Sequence, residues 1–309
     1  MSVQHNRLFL PFSLLVAILA VSTASIFIRF AQREAPSLVI AALRLTIASL
    51  VLTPVALTRY RDELRGLTRS DLLFGLLSGI FLAIHFATWI SSLEYTSIAS
   101  SVVLVSTGPL WVALLSPIFL KEPLTRSILV GMAMALLGGT VIGLSDSCQL
   151  DGELACPPLS EFVQGEAFFG NSLALAGAWA VAGYLMIGRR LRAGMSLIPY
   201  IFVVYGSAAI SLLVAMLFAG QSPGGFSPLV YVWIILLALV PQLIGHTTYN
   251  WALRYLPAAL VSITTLAEPV GSAILAYFIL DEKPTLLIIF GGVLILAGIY
   301  FASRTKQSG

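Results

Sequence analysis

Two stretches of this chain repeat one pattern: LEYTSIASSVVLVSTGPLWVALLSPIFLKEPL at residues 93–124 and LRYLPAALVSITTLAEPVGSAILAYFILDEKP at residues 253–284. The shift between them is 160 residues, and it holds without a gap from Thr88 to Gly138. The identical pairs include Leu93/Leu253, Tyr95/Tyr255, Pro109/Pro269, Glu122/Glu282, Gly131/Gly291 and Gly138/Gly298. Chance does not produce a match of this length, even in an apolar alphabet, so the chain contains an internal repeat.

The composition places both copies in a lipid bilayer. Of the 309 residues, 58% are hydrophobic and 10% are charged, whereas a soluble domain has about 45–50% apolar and about 25% charged residues. This balance excludes a soluble enzyme and a disordered chain. The net charge of +3 forms no basic face, so we expect no nucleic-acid partner.

Apolar runs predict ten membrane-spanning helices, since about 20 apolar residues cross the hydrocarbon core. The predicted spans are residues 10–31, 37–58, 71–93, 97–119, 125–145, 169–189, 198–219, 229–252, 258–280 and 285–303. The predicted fold is an all-α membrane protein of ten transmembrane helices. Its parts are a first five-helix repeat at 10–145, a loop at 146–168 and a second five-helix repeat at 169–303.

The orientation follows from lysine and arginine, which favour the cytoplasmic side of a membrane. With the N-terminus inside, 13 of them lie on the cytoplasmic side and 3 lie outside, namely Arg29, Arg33 and Lys283. We therefore expect a multi-pass protein of the cytoplasmic membrane with both termini in the cytosol.

The loop at 146–168 is acidic, contains no Lys or Arg, and falls outside the cell in this topology. It holds both cysteines, Cys148 and Cys156. An oxidising exterior permits a disulfide between them as a structural staple, and free thiols are the alternative. Two cysteines are too few for a four-ligand zinc site. The sequence predicts no metal site and no cofactor.

Each copy spans five helices, an odd number, so the second copy enters the membrane in the opposite sense. Such an inverted pair supports alternating access, in which two similar halves open one central site to each side in turn. A receptor, an anchor or an intramembrane enzyme has no comparable need for this symmetry.

The two quoted stretches, together with ALRLTIASL at residues 42–50, resemble the drug/metabolite transporter superfamily, and more narrowly its ten-helix EamA-type members. The resemblance covers nearly the whole chain. It implies a secondary transporter, commonly an exporter of amino acids or other small metabolites, with a cavity between two five-helix halves. It does not identify the substrate, and the acidic loop is not part of the shared pattern.

Three prolines lie near the middle of predicted spans, namely Pro109, Pro269 and Pro241. A proline removes one backbone donor and leaves carbonyl groups free. In lipid this is tolerated where protein or a water-filled cavity satisfies those groups, so paired kinks point to a binding site. A purely structural kink is the alternative at each position.

Two charged residues lie inside predicted spans. Glu268 directly precedes Pro269, about 15 Å deep at 1.5 Å per residue. A carboxylate there costs several kcal/mol unless it is paired, protonated or wet, so Glu268 is a candidate to bind a cationic amine or to carry a coupling proton. Arg44 is a candidate partner for Glu268 or for a substrate carboxylate. A structural ion pair, or an arginine that reaches outward along lipid, is the alternative.

His85 and His246 occupy nearly equivalent places in the two copies and are candidates to bind substrate or move a proton. Neutral histidines bonded to backbone carbonyls are the alternative. Trp89 lies one helical turn from His85, and Asn250 one turn from His246, so each pair shares a face. Trp89 could line an apolar pocket or serve as packing. Weaker candidates are Thr107, Gln242 and Thr265.

Glu122 and Glu282 fall in short loops after the fourth and ninth spans, one on each side of the membrane, and suggest a helix cap or a gating contact. The motifs Gly75-x-x-x-Gly79 and Gly139-x-x-x-Gly143 permit close helix crossings. They serve either packing within the chain or a homodimer, and the sequence leaves both open.

The leading hypothesis is a secondary transporter that exports small metabolites, above all amino acids or related solutes, by alternating access. The partners are then a small-molecule substrate, the lipid bilayer and, where transport is coupled, protons. The alternatives are efflux of amphipathic cations or drugs by proton antiport, and an uncoupled facilitator. An enzyme is not expected, because the chain has no Walker loop, no H-E-x-x-H and no nucleophile elbow.

Overall fold

The computed structural model describes residues 9–96, 98–144, 149–151, 153–155, 166–280 and 286–303. The helices of the first copy are α1 (Phe9–Ser22), α2 (Ala24–Ala31), α3 (Ser37–Arg59), α4 (Arg61–Arg65), α5 (Arg69–Tyr95), α6 (Ile98–Val105), α7 (Gly108–Phe119) and α8 (Arg126–Leu144). The helices of the second copy are α9 (Glu166–Arg192), α10 (Leu197–Phe218), α11 (Pro228–Leu237), a π-helical segment (Ala238–His246), α12 (Thr247–Ala252), α13 (Ala258–Thr264), a 3-10 turn (Thr265–Ala267), α14 (Glu268–Leu280) and α15 (Leu286–Ser303).

Seven of the described helical segments are long and apolar enough to cross a membrane: Phe9–Ala31, Ser37–Arg59, Arg69–Tyr95, Phe168–Arg192, Leu197–Phe218, Pro228–Ala252 and Ala258–Ile279. They coincide with the first three predicted spans and with the sixth to the ninth. Shorter apolar helices lie within the other three: Gly108–Phe119, Arg126–Val141 and Ile289–Ala302. The helical bundle is therefore confirmed, and the count of ten spans stays a prediction.

Both copies interrupt a helix directly before the repeated proline. In the first copy α6 ends at Val105, and α7 begins at Gly108 with Pro109 in its first turn. In the second copy a 3-10 turn at Thr265–Ala267 separates α13 from α14, whose second residue is Pro269. Proline has no N–H to give to the preceding turn, so it starts the second helix at low cost.

Helices α8 and α15 pack against each other through repeated glycines. A Cβ added at Gly131 would lie 2.4 Å from the carbonyl oxygen of Gly298, and one at Gly138 would lie 2.4 Å from that of Gly291. The partner numbers run in opposite directions, so the helices are antiparallel. The 160-residue shift exchanges these two contacts, because Gly131 matches Gly291 and Gly138 matches Gly298.

Gly75 and Gly79 face helix α10 of the same chain. A Cβ added at Gly75 would meet the Val203 side chain at 2.8 Å, and one at Gly79 would meet Ser207 at 2.5 Å. These two glycines therefore serve packing within the chain, because the small residue lets α5 and α10 approach closely.

The loop between the copies contains a feature that the sequence does not predict. Gln149–Asp151 and Glu153–Ala155 form a two-stranded antiparallel hairpin, in which Leu150 is paired with Leu154. The predicted disulfide cysteines, Cys148 and Cys156, lie outside the described residues.

The outer and inner faces of the bundle have the polarity that a bilayer demands. Large apolar side chains point outward, and Phe218 is 88% exposed. Several strongly polar side chains are fully buried instead, among them Arg44, Gln242 and Asn250. Polar groups inside a membrane protein face the bundle interior because lipid cannot solvate them.

Candidate functional site

Arg44 lies at the centre of the buried polar cluster. Its neighbours one turn away on α3, Ile40 and Ala48, are both fully buried, so this face of the helix points into the bundle. Its Nε donates a hydrogen bond to Oε1 of Gln242 at 3.1 Å. Its guanidinium lies over the Phe86 ring, 4.1 Å from the ring centroid. This combination of a planar donor fork and an aromatic face holds the side chain in one orientation.

The rest of the Arg44 fork has hydrogen-bond donors that the described residues leave unsatisfied. Nη1 and Nη2 are buried and have no hydrogen-bond partner among the described residues. The Nε2 of Gln242 is also buried without a partner there. Three groups of N–H donors are thus presented around one buried cation, which is the donor set that a carboxylate accepts.

Gln242 lies on a π-helical segment. The segment, Ala238–His246, contains Pro241, and its wider turn places Gln242 fully inside the bundle. The corresponding residues of the first copy belong to the uninterrupted α-helix α5. Single π-helical turns inside longer helices often occur at functional sites, and here the turn breaks the symmetry of the two copies.

Glu268 begins α14, at the eleventh residue of the 22-residue segment Ala258–Ile279. It is half-buried. Its charge and that of Arg44 attract each other. The two side chains are not within the 4.0 Å of an ion pair, since the described part of the chain has a single such pair, Arg189–Glu122. Arg44 and Glu268 therefore act on each other at a distance and do not form an ion pair with each other.

Phe86, the ring beneath Arg44, belongs to a cluster of aromatic side chains from α5 and the π-helical segment. His85 stacks on Trp89 with ring centroids 5.9 Å apart, and lies 6.5 Å from His246. Phe86, whose ring lies beneath the Arg44 guanidinium, also contacts His246, with ring centroids 5.3 Å apart. The sequence thus correctly predicts that His85 and Trp89 share a face, and the structure brings both histidines together.

The two histidines have different hydrogen-bond environments. Nδ1 of His85 lies 2.9 Å from the carbonyl oxygen of Gly177, and since a carbonyl only accepts, Nδ1 is the donor. That bond fixes the ring against α9, as expected of a structural histidine. His246 shares ring contacts with Phe86, His85 and Tyr249.

Asn250 belongs to a buried tyrosine network. Its Nδ2 donates to the hydroxyl of Tyr184 at 2.5 Å and to that of Tyr205 at 3.3 Å. Oδ1 of Asn250 and the hydroxyl of Tyr249 are buried with no partner among the described residues. The Tyr249 hydroxyl also interacts electrostatically with Glu268. The network links α9, α10 and α12 to the cluster around Arg44.

The other predicted residues have local roles in the structure. The Thr107 hydroxyl, in the break between α6 and α7, donates to the carbonyl oxygen of Leu104 at 2.7 Å. The prolines Pro109, Pro241 and Pro269 are buried.

Sequence reasoning underrated or missed four members of this cluster. Gln242 ranked below the charged residues because its π-helical position has no sequence signal. The sequence gives no signal for Tyr205 or Tyr249, although Tyr249 directly precedes Asn250. Phe86 follows His85, and its ring beneath Arg44 requires knowledge of how α3 and α5 pack.

Metal binding has no support in the described part of the chain, where no three His, Cys, Asp or Glu side chains group as ligands. The cluster could recognise a ligand through N–H donors of Arg44 and Gln242 and through the carboxylate acceptor of Glu268.

A polar, charged centre inside a bundle of apolar helices is typical of a multi-pass membrane protein. Comparison with known proteins gives the family. The model of the EamA-like transporter family matches residues 9–144 and again residues 168–304. The chain belongs to this family, which indicates a transporter rather than an enzyme.

Relatives cover most of the chain. An uncharacterized transporter of Archaeoglobus fulgidus is 26% identical over 280 residues, 90% of this chain and 93% of that protein. The uncharacterized transporter YetK of Bacillus subtilis is 25% identical over 96% of this chain and 87% of its own length. The pseudopaline exporter CntI of Pseudomonas aeruginosa is 23% identical over 78% of each chain. A solved crystal structure shares the fold, with a TM-score of 0.73 and 22% identity over 95% of this chain and 96% of that one.

Proposed function

We propose that this protein is a secondary transporter that exports small metabolites, above all amino acids or related zwitterions, across the cytoplasmic membrane by alternating access. The observation that carries the proposal is the Arg44 guanidinium. It is fully buried, two of its nitrogens have no partner among the described residues, and an opposite charge at Glu268 acts on it without contact.

A buried, partly unsatisfied guanidinium is costly. Inside a membrane an arginine is stable when it faces protein and pairs with an acceptor. Gln242 satisfies one nitrogen of Arg44, and Phe86 covers one face. The two remaining nitrogens form the edge that binds a carboxylate in parallel hydrogen bonds. A substrate carboxylate would therefore lower the free energy of this site.

Glu268 supplies the complementary half. A carboxylate that is not ion-paired attracts a cationic amino group, and it lies in the field of Arg44. A molecule with one carboxylate and one ammonium group matches both charges together. The rings of His85, Trp89 and Phe86 would then contact the apolar part of such a molecule.

Alternating access is supported by the repeat. The glycine contacts between α8 and α15 are exchanged by the 160-residue shift, as a two-fold relation between inverted halves requires. Arg44 and Gln242 belong to different copies, so the cluster lies where the two halves meet. With 13 basic residues on one side against 3 on the other, we place both termini in the cytosol. Export as the direction is supported by the relative CntI, which is an exporter.

Efflux of amphipathic cations by proton antiport is the second candidate. Glu268 favours it, because a half-buried carboxylate outside any ion pair among the described residues is able to hold either a proton or a cation. In that case Arg44 would tune Glu268 and would not contact the substrate. An uncoupled facilitator would use the same cluster with no proton step.

The test is efflux from proteoliposomes loaded with a pool of amino acids, nucleosides and amines. The external solution is analysed by mass spectrometry with and without a pH gradient, for wild type, Glu268→Gln and Arg44→Gln. We expect a few related zwitterions to leave, and their efflux to depend on Arg44. Efflux of cations alone would favour the second candidate. Efflux of nothing from folded, correctly inserted protein would contradict the metabolite proposal.

A further inference from the structure

Arg189 joins three segments of the chain at one end of the bundle. It lies near the end of α9, and its Nε contacts Oε1 of Glu122 at 2.6 Å. Its Nη1 donates to the carbonyl oxygen of Leu253 at 2.6 Å. The other oxygen of Glu122 accepts the backbone N–H of Ala258, at the start of α13, at 3.2 Å. Glu122 follows α7 in the first copy, whereas Arg189, Leu253 and Ala258 belong to the second.

The first copy contains the same arginine contact. Nη1 of Arg29 donates to the carbonyl oxygen of Leu93 at 2.9 Å. Arg29 matches Arg189, and Leu93 matches Leu253, in the 160-residue shift. A second pair follows the same rule, because Gln32 donates to the Ile90 carbonyl at 2.8 Å and Arg192 donates to the Asn250 carbonyl at 3.0 Å. Tying these helix ends together is therefore a common feature of both copies.

The two arginine contacts lie at opposite ends of the bundle. Leu93 lies near the C-terminal end of α5, next to the start of α9, where a Cβ added at Gly170 would meet Tyr95 at 2.9 Å. Arg189 lies 19 residues after Gly170 along α9, about 28 Å away at 1.5 Å per residue.

At the Arg189 end a carboxylate from the other copy joins the contact. Arg29 bonds the main chain of its own copy and makes no ion pair with any acidic residue that the structure describes. Arg189 makes the equivalent bond and, in addition, binds Glu122 from the other copy. Glu122 thus connects the two halves at one end, whereas the Arg29 contact connects segments within one half.

We propose that Glu122, Arg189 and the Ala258 N–H form a latch that holds the two halves together at this end and opens once in each transport cycle. The proposal rests on the alternating access proposed above. The Glu122 and Arg189 side chains are 21% and 25% exposed. An ion pair this close to water contributes little net stability, so it is able to break and re-form during the cycle. Because Glu122 holds both the arginine and the start of α13, its release frees α13 from the α7 end.

The test uses two cysteine reporters at matched positions. In a background with Cys148→Ser and Cys156→Ser, Ser262→Cys lies one turn beyond Ala258 on α13, and Val102→Cys is its match in the first copy. Both positions are buried, at 0% and 1% exposure. Labelling by a membrane-impermeant maleimide is timed from each side of oriented membrane vesicles, and folding is checked by a single monodisperse peak in detergent.

The latch predicts a change at one end only. Glu122→Gln and Arg189→Gln should each raise the labelling rate of Ser262→Cys from the Glu122 side at least about threefold, and lower that of Val102→Cys from the other side. The exchanged pair, Glu122→Arg with Arg189→Glu, should restore part of the wild-type rate. Arg29→Gln is the matched control, since it removes the equivalent main-chain donor without touching Glu122, and it should not raise labelling of Ser262→Cys.

Unchanged labelling in folded Glu122→Gln protein would overturn the latch, and so would an equal effect of Arg29→Gln. The labelling test needs no substrate. If labelling shifts as predicted while no solute moves, the proposed substrate class fails and the latch stands. If solutes move while labelling stays constant in the variants, the latch fails and the transporter stands.

Discussion

Arg44 donates from Nε to Oε1 of Gln242 at 3.1 Å, and this bond joins the first copy of the repeat to the second. Its position explains how a symmetric scaffold acquires an asymmetric centre. The positions that match Arg44 and Gln242 are Val204 and Leu82, both apolar and fully buried. The polar pair therefore exists once, at the junction of two halves that repeat other contacts, such as the glycine crossing of α8 and α15.

Two replacements of Arg44 should separate the effect of its charge on substrate binding from the effect of its planar shape. Arg44→Lys keeps the charge but loses the planar fork, so we expect the KM for a transported amino acid to rise about tenfold, equivalent to ~1.4 kcal/mol. Arg44→Gln should reduce transport further. Efflux kinetics in proteoliposomes measure both. Arg33→Lys is the control, because Arg33 lies at a helix end near Phe30 and should leave the KM unchanged. A lysine variant with wild-type kinetics would contradict bidentate binding.

Glu268→Gln should remove the response to a pH gradient. The glutamine keeps the size of the side chain, but it does not bind a proton. Because it has no negative charge, it also attracts an ammonium group less strongly than a carboxylate does. In proteoliposomes, imposing a gradient should accelerate efflux in wild type and leave the variant unchanged. If the variant still responds to the gradient, the coupling proton is carried elsewhere.

Glu34, which lies outside the membrane-spanning segments, should make the stability of the protein depend on pH. Its carboxylate accepts the Ser227 backbone N–H at 2.9 Å and the Ser227 hydroxyl at 2.8 Å, and these bonds lower the pKa of Glu34 below its ordinary 4.5. A lowered folded-state pKa means that the stabilisation is present above the unfolded value and is lost as the pH falls through the folded one. Glu34→Gln should thus have a slightly lower Tm than wild type at pH 7, and the two should converge in acid below 4.5. A Tm difference that persists in acid would contradict this origin.

The crossing of α8 and α15 should tolerate no side chain at Gly131. In Gly131→Ala the new Cβ would lie 2.4 Å from the Gly298 carbonyl oxygen, so the helices must separate. Overpacking of this kind costs about 1–3 kcal/mol. Gly292→Ala on α15 is the matched control, because its Cβ would meet Val270 at 3.5 Å, an ordinary contact. Thermal unfolding in detergent should show a clear loss for Gly131→Ala alone, and equal losses in both variants would contradict the close crossing.

The sequence predicts the helices that surround the site better than the side-chain contacts within it. The repeat, the helical bundle and the paired breaks before Pro109 and Pro269 follow from patterns that a chain carries locally. His85 and Trp89 share a face because helical spacing alone fixes that relation. The link from Arg44 to Gln242 depends on how α3 packs against a π-helical turn, and residue propensities do not distinguish that turn from an α-helix.

One signal was available in the sequence and lies outside the gap-free stretch. Arg29 and Arg189 also differ by 160, as do Gln32 and Arg192. Their meaning required the structure, because the acceptors are main-chain carbonyl groups that have no sequence signature.

The central claim is that Arg44 binds the carboxylate, and Glu268 the ammonium group, of one zwitterion. Its most direct test is tracer efflux of three matched compounds: the amino acid that leaves fastest from the mixed pool, its decarboxylated amine and its deaminated acid. We predict that wild type prefers the amino acid at least about tenfold over both, that Arg44→Gln abolishes the preference over the amine, and that Glu268→Gln abolishes the preference over the acid. Equal efflux of amino acid and amine by wild type would contradict the account.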